Sequence, residues 1–262
     1  MSVPALAAVL FDYGHTLIHF EENPHARLSD AYQRINQLLR KELAREIPEA
    51  ESLIRDISMV VDAEIQADYQ AGRPEEVEIA GIYDRALRRI GLELAPELIE
   101  QVMELEQEGW LESVHVGADV LPTLRRLHQS GLRTGVVSNA AYRPRLMRRQ
   151  IEVLGLLPHL DSLTFSSEVG LRKPHPAIYR AALEKLDVPA QATLFVGDRL
   201  REDVRGPKAL GMRAVLLREW RREEDQEGEA DFTVDRLSEV ADVVAGLLER
   251  EGTTGRREKT HN

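Results

Sequence analysis

The chain has 262 residues, 43% of them hydrophobic and 30% charged, which predicts a soluble globular protein with a sizeable core. Its formal net charge of −11 disfavours broad nucleic-acid binding, and the absence of cysteine excludes disulfides, thiolate metal sites and a cysteine nucleophile. No apolar run approaches the roughly 20 residues of a membrane span and no secretory signal is recognisable, so we expect a cytoplasmic protein that binds neither nucleic acid nor membrane.

The first predicted element is a buried strand that ends in a carboxylate. Residues 3–11 are continuously apolar, which is typical of a strand covered on both faces in a parallel sheet. Asp12 follows directly, and Gly14 lies two residues further on. Two interpretations are open: a turn that uses Asp and Gly for their backbone preferences, or a reactive group at the carboxyl edge of a sheet.

Residues 22–112 have a different pattern. Apolar residues recur there at helical spacing, interrupted by turn signals at Pro48, at 72–74 and at 91–96. The pattern predicts about four helices packed on one another and no strand. We therefore expect a separate helical unit inserted into a protein of another type.

Between residues 113 and 248 strands and helices alternate, which predicts a parallel sheet with helices between its strands. The predicted strands are 133–137, 163–165, 193–196 and 214–217, and the predicted helices are 120–127, 146–154, 176–186, 200–210 and 237–248. We expect 220–230 to be a charged, solvated loop and 249–262 to be a disordered tail. The predicted core thus combines 1–21 with 113–248.

Polar side chains follow three of the predicted strands. They are Asp12, then Ser138 and Asn139, then Asp198 and Asp203, with Lys173 on a loop between them. Parallel strands bring their carboxyl ends to one edge of a sheet, so these side chains can converge. A set of carboxylates is the donor set of Mg²⁺ and not of zinc. A lysine and a hydroxyl beside it could hold a phosphate, which an aspartate could attack.

The same residues carry a resemblance to the haloacid dehalogenase-like (HAD) hydrolase superfamily. The segments that match, in the family's order, are Asp12-Tyr-Gly-His-Thr16, Val137-Ser138-Asn139, Arg172-Lys173-Pro174-His-Pro176 and Gly197-Asp198-Arg-Leu-Arg-Glu-Asp203-Val-Arg-Gly206. The resemblance implies a Rossmann-like three-layer α/β/α core with a parallel sheet, plus an inserted α-helical bundle cap that helps to choose the substrate. It also implies Mg²⁺ and a small phosphorylated substrate, and leaves monomer and homodimer open.

The resemblance assigns a role to each matching residue. Asp12 would be the nucleophile, Ser138 would hydrogen-bond the phosphoryl oxygens, and Lys173 would neutralise charge on the nucleophile and the transferring group. The metal ligands would be Asp12, the backbone carbonyl of Gly14, Asp198 and Asp203. The substrate-binding residues would be Thr16, Ser138, Asn139 and Lys173. For Asp203 two other roles stay open: support of Lys173, or a first-turn carboxylate favoured by a helix dipole.

Gly14 departs from the pattern of the family's phosphatases. Those enzymes have a second aspartate at this position, as the general acid that protonates the leaving group. Its loss removes a proton transfer that is typically worth about 10²- to 10⁴-fold in rate. His15 is the candidate substitute, because its unperturbed pKa of about 6.5 suits the task. The alternative for His15 is a turn residue that points away from the site.

Three functional hypotheses follow. The first is a Mg²⁺-dependent hydrolase of a small phosphorylated metabolite that forms an aspartyl-phosphate at Asp12. The second is a catalytically weak or silent HAD-like protein that binds a ligand or a partner. The third is a dehalogenase- or phosphonatase-like hydrolase. The dehalogenases are metal-free and have Ser-Ser-Asn where this chain has Gly197-Asp198. The phosphonatases use a cap lysine, for which only Lys41 is available, and we interpret Lys41 as a surface residue.

Overall fold

The computed structural model describes residues 5–21, 25–225 and 227–259. The chain divides into two compact units. The first comprises Met1–His19, Val116–Ala140 and Ile151–Asn262, and the second comprises Phe20–His115 and Ala141–Gln150. Residues 141–150 therefore belong to the second unit, although the sequence places them in the core segment.

The strands, in chain order, are β1 (Ala8–Phe11), β2 (Ile18–Phe20), β3 (Val114–Val116), β4 (Arg133–Ser138), β5 (Ser162–Phe165), β6 (Thr193–Gly197), β7 (Arg213–Leu217) and β8 (Phe232–Val234). The helices are α1 (His25–Leu43), α2 (Ala50–Leu53), α3 (Met59–Gln70), α4 (Ile79–Arg89), α5 (Pro96–Leu111), α6 (Val120–Gln129), α7 (Pro144–Val153), α8 (Ser166–Val169), α9 (Pro176–Leu186), α10 (Gly206–Ala209) and α11 (Glu239–Lys259). Short 3₁₀ turns cover Leu157–His159 and Ala190–Ala192, and π-helical turns cover Ile54–Ser58 and Leu200–Arg205.

The first unit is built on a six-stranded sheet in the order β5-β4-β1-β6-β7-β8, and every neighbouring pair is parallel. Ala8 and Leu10 of β1 pack with α9 in one apolar cluster. Val9 and Phe11 point to the opposite face, because side chains alternate along a strand, and they are equally buried. Both faces of β1 are thus covered, which confirms the prediction of an α/β protein with a parallel sheet.

Three strands were not predicted: β2 and β3, which pair with each other in a separate two-stranded sheet, and β8 at the edge of the large sheet. The helix predicted over 200–210 is instead the π-helical turn Leu200–Arg205 followed by α10. The helix α11 continues through 249–259, where the sequence predicts a disordered tail; the segment contains no proline, so the helical hydrogen-bond pattern can continue through it. Residues 260–262 lie outside the described residues, as do residues 3–4 of the first predicted strand.

The second unit contains α1 to α5 and its own apolar core. The stretch 50–70 is continuous, because α2, the π-helical turn Ile54–Ser58 and α3 follow one another directly. Within that core the fully buried Glu106 accepts hydrogen bonds from Tyr32 at 2.5 Å, Tyr83 at 2.7 Å and Ser58 at 2.5 Å. Both carboxyl oxygens of Glu106 are thereby satisfied, as burial of such a group requires.

An ion-pair ladder explains why residues 141–150 belong to the second unit. Three glutamates spaced four residues apart on α5 pair with arginines in α7 and directly before it. The pairs are Arg143 with Glu100, Arg145 with Glu104, and Arg149 with Glu108. Ala141 and Tyr142 pack against the apolar core of the same unit. Arg143, Arg145 and Arg149 thus pair with glutamates of the same unit while their side chains stay partly exposed.

Among the described residues, no helix has the length and apolar character needed to cross a membrane.

Candidate active site

The strand β1 delivers Asp12 to the carboxyl edge of the large sheet. Phe11 lies in register with Val136 of β4 and with Val196 of β6, so that Ser138 and Asp198 reach the same edge as Asp12. The backbone N–H of Asp12 donates to the carbonyl of Val196 at 2.9 Å. The chain runs from β1 outward through β4 and β5, then returns to the other side of β1 at β6. Ligands of open α/β sheets bind at such a reversal.

Lys173 connects two carboxylates at this edge. Its Nζ donates to Oδ1 of Asp12 at 2.6 Å and to Oδ1 of Asp203 at 2.8 Å. The backbone of Lys173 is itself held by Asn139, which accepts from its N–H at 2.7 Å and donates to its carbonyl at 3.1 Å. Asn139, predicted to bind substrate, therefore makes its described contacts with the segment that carries the lysine.

Burial and neighbouring charges have opposite effects on the pKa values of Lys173 and Asp203. Burial disfavours the ammonium of Lys173, but the carboxylates of Asp12 and Asp203 outweigh it and raise its pKa. Burial raises the pKa of Asp203 to about 7, although Lys173 acts to lower it. Lys173 therefore stays charged, and Asp203 depends on that charge, or on another cation, to remain ionised.

Asp198 completes a cluster of three carboxylates. Ligand oxygens of Asp12, Asp198 and Asp203 all lie within 4.8 Å of one another. Burial, followed by the charge of Asp12, raises the pKa of Asp198. Its Oδ2 accepts a hydrogen bond from Arg221, whereas the buried Oδ1 has no hydrogen-bond partner among the described residues. An all-oxygen set with an unsatisfied buried carboxylate oxygen fits a hard divalent cation.

Gly197 allows Asp203 to reach the cluster. A Cβ at position 197 would overlap the Cβ and Cγ of Asp203. The carboxylate of Asp203 is further fixed by the backbone N–H of Arg199, which donates to Oδ2 at 3.0 Å. Gly197 is thus a steric requirement of the site as well as part of a sequence motif.

Residues 13–18 form a tight turn after Asp12. The N–H of His15 donates to the carbonyl of Ile18 at 2.7 Å, and His15 has a φ of 58°, which is uncommon for a residue other than glycine. Burial and then the charge of Arg221 lower the pKa of His15, against the charge of Asp12, which raises it. Thr16 is buried, and its hydroxyl has no hydrogen-bond partner among the described residues. His15 thus lies within electrostatic reach of Asp12 and favours its neutral form.

The sequence did not identify Arg221 as a site residue. It lies in the loop 220–230, predicted to be solvated, yet its Nε donates to Oδ2 of Asp198 at 2.7 Å. The available signal was position, because this loop follows the carboxyl end of β7 at the edge where the other site residues meet. The charged composition of the loop instead favoured the prediction of a solvated surface.

The model of one protein family matches this chain. It is described as "haloacid dehalogenase-like hydrolase", and the match covers residues 6–211. The chain belongs to this family. HAD-like hydrolases are enzymes, so the predictions of the family and of an enzyme are both confirmed.

Two relatives match this HAD-like hydrolase over most of both chains. The "Glyceraldehyde 3-phosphate phosphatase" of Methanopyrus kandleri is 29% identical over 251 residues, which are 92% of this chain and 98% of the relative. The "Ribulose-1,5-bisphosphate 5-phosphatase" of Halopiger xanaduensis is 27% identical over 256 residues, 91% of this chain and 99% of the relative.

A solved structure confirms the fold of the HAD-like hydrolase. The 2-haloacid dehalogenase from Pseudomonas syringae pv. Tomato DC3000 superposes with a TM-score of 0.65 at 22% identity, covering 92% of this chain and 98% of that one. At this level of identity the similarity concerns architecture alone. The predicted Rossmann-like core with helical additions is therefore confirmed.

Proposed function

We propose that this HAD-like hydrolase is a Mg²⁺-dependent phosphatase that cleaves small phosphate esters through an aspartyl-phosphate at Asp12. One observation carries the proposal: Lys173 donates to Asp12 at 2.6 Å and to Asp203 at 2.8 Å, beside the buried Asp198. A nucleophilic carboxylate needs a neighbouring cation when it approaches an anionic phosphoryl group, and Lys173 supplies that charge.

The chain's own residues account for both halves of the reaction. A carboxylate oxygen of Asp12 attacks phosphorus, and the ester P–O bond breaks so that its electron pair leaves with the alcohol. Water then attacks the phosphoryl group of the intermediate, and inorganic phosphate departs as the carboxylate of Asp12 re-forms. Ser138 and Thr16 would donate hydrogen bonds from their hydroxyls to phosphoryl oxygens, and Lys173 would balance charge in both steps.

Asp12, Asp198 and Asp203, with the backbone carbonyl of Gly14, would hold the cation. When bound, Mg²⁺ would neutralise phosphoryl charge and orient the group for attack. The buried, unpartnered Oδ1 of Asp198 supports this assignment, since such an oxygen is costly to leave unsatisfied. The mutual approach of the three carboxylates supports it as well.

This enzyme would differ from phosphatases that have an aspartate at position 14 in how the leaving group is protonated. Without that acid, the departing alkoxide takes its proton from water or from His15, whose lowered pKa disfavours the protonated donor. We therefore propose that rates fall steeply as the pKa of the leaving alcohol rises. The relatives' names make small sugar phosphates the first substrates to test.

A weak or silent ligand-binding protein is the second candidate, and Gly14 is the observation that favours it. The two candidates separate in a turnover screen with acetyl phosphate, p-nitrophenyl phosphate and glyceraldehyde 3-phosphate, with Mg²⁺ or with EDTA. We expect Mg²⁺-dependent phosphate release, fastest for the acyl phosphate.

Asp12→Asn is the control for the nucleophile. This nearly isosteric change should abolish turnover, and acid-quenched wild-type enzyme should gain the mass of one phosphoryl group on the peptide that contains Asp12. Turnover that survives in Asp12→Asn would exclude Asp12 as the nucleophile. A wild-type enzyme that releases no phosphate from any of the three substrates would favour the binding role.

A further inference from the structure

We propose that Arg221 is a positioning residue that makes the cation site selective for Mg²⁺ over Ca²⁺. It does so by holding Asp198 as a one-oxygen ligand. The proposal rests on the metal site of the proposed function, but concerns a residue outside the four matching motifs.

The contact occupies one specific oxygen of Asp198. Arg221 donates from Nε to Oδ2 at 2.7 Å, whereas Oδ1 is buried and has no hydrogen-bond partner among the described residues. Asp198 is almost fully buried and Arg221 is about one-third exposed at its side chain, 2% and 35% respectively. Arg221 therefore reaches in from the rim and engages Oδ2, leaving Oδ1 to a ligand.

The loop that carries Arg221 is fixed on both sides. Trp220 stacks on His19 with ring centroids 4.2 Å apart and an angle of 11° between the planes. The carboxylate of Glu219 accepts from the N–H of Leu237 at 2.9 Å, and that of Glu223 accepts from the N–H of Leu200 at 2.7 Å. These contacts fix the loop on either side of Arg221, and the hydrogen bond to Asp198 orients its guanidinium, which is the condition for a positioning role.

The contact between Arg221 and Asp198 favours Mg²⁺ because Mg²⁺ and Ca²⁺ differ in their coordination preferences. Mg²⁺ requires near-octahedral geometry with short bonds, whereas Ca²⁺ accepts six to eight oxygens and takes carboxylates in one- or two-oxygen mode. A guanidinium that donates to Oδ2 of Asp198 competes with a cation for that oxygen and leaves Oδ1 as the preferred ligand. The contact thus denies Ca²⁺ the extra oxygen while leaving Mg²⁺ its ligand.

The test compares the affinities for Mg²⁺ and Ca²⁺. Their ratio distinguishes an effect on the orientation of Asp198 from an effect of the positive charge of Arg221. Removing a positive charge changes the binding of any divalent cation to a similar extent, whereas freeing Oδ2 favours Ca²⁺ specifically. Mg²⁺ and Ca²⁺ are titrated into the full chain by isothermal titration calorimetry, for the wild type, Arg221→Met, Arg221→Lys and the control Arg222→Met. Arg222 is its exposed neighbour in the same loop.

We expect the ratio of Kd for Ca²⁺ to Kd for Mg²⁺ to fall about tenfold in Arg221→Met, a typical effect for a residue that orients a metal ligand. Arg221→Lys keeps a charged donor and should give an intermediate ratio, and Arg222→Met should match the wild type. An unchanged ratio in Arg221→Met overturns the inference. If that variant does not fold, a wild-type ratio in Arg221→Lys overturns it instead. A wild-type chain that binds neither cation contradicts the proposed metal site itself.

Discussion

Asp62 of α3 allows a quantitative test of electrostatics in the second unit. Its carboxylate is half-buried and has no hydrogen-bond or ion-pair partner among the described residues. Burial, reinforced by the charge of Glu106, raises its pKa from 3.8 to about 6. Ionised Asp62 is therefore disfavoured in the folded chain relative to the unfolded one.

The raised pKa of Asp62 determines how the stability of the chain changes with pH. A raised pKa in the folded state means that the folded chain binds the proton more tightly, so stability is greatest below about pH 4 and declines as pH rises towards 6. A shift of about two units corresponds to about 3 kcal/mol at 1.36 kcal/mol per unit. Asp62→Asn cannot ionise. We expect it to resemble the wild type near pH 4 and to exceed its unfolding free energy by up to about 3 kcal/mol at pH 7.

Urea unfolding at half-unit steps from pH 4 to pH 8, followed by circular dichroism, measures this difference. Asp68→Asn is the matched control, because Asp68 lies on the same helix and is similarly half-buried, but its carboxylate pairs with the exposed Arg73 at 3.0 Å. It should change stability by less than about 1 kcal/mol. A gain for Asp62→Asn that is the same at pH 4 and pH 7 would refute the electrostatic explanation, as would no gain at either pH.

Three further substitutions address the candidate active site. Lys173→Met leaves Asp12 and Asp203 buried without their cation and should destabilise the chain by about 3–5 kcal/mol, measured by urea unfolding; the exposed Lys208→Met should have little effect. Gly197→Ala places a Cβ on Asp203 and should weaken Mg²⁺ binding in calorimetry, whereas Gly246→Ala, which meets only the tip of Arg250 at 3.7 Å, should not. Gly14→Asp should restore a general acid and raise turnover of alkyl phosphates by about 10²-fold or more, with little gain for acetyl phosphate; equal gains on both would mean that proton donation is not what limits the enzyme. The backbone angle does not require glycine here, since Gly14 is not among the described glycines with positive φ.

The central strands were predictable because burial on both faces leaves a strong sequence signal. β4 has five buried residues of six, and β6 is buried throughout. β2, β3 and β8 have three residues each, of which one is buried, so their sequences differ little from those of loops. Their pairing depends on contacts with distant parts of the chain, which a local pattern does not contain.

The convergence of Asp12, Lys173, Asp198 and Asp203 was predictable from topology, since parallel strands share a carboxyl edge. The structure brings these four side chains together, and their catalytic roles stay proposals. The partners of Arg221 and Asn139 were not predictable. A charged residue in a loop and an amide after a strand each have many possible partners, and only the three-dimensional path of the chain selects one.

The ladder between α5 and α7 has a consequence for chimeras. A graft that exchanges residues 20–115 for the corresponding helices of another family member would carry Glu100, Glu104 and Glu108 away from the arginines that pair with them. It would also remove the apolar core against which Tyr142 packs. The transferable module is therefore discontinuous, and a graft of the second unit has to move 141–150 together with 20–115.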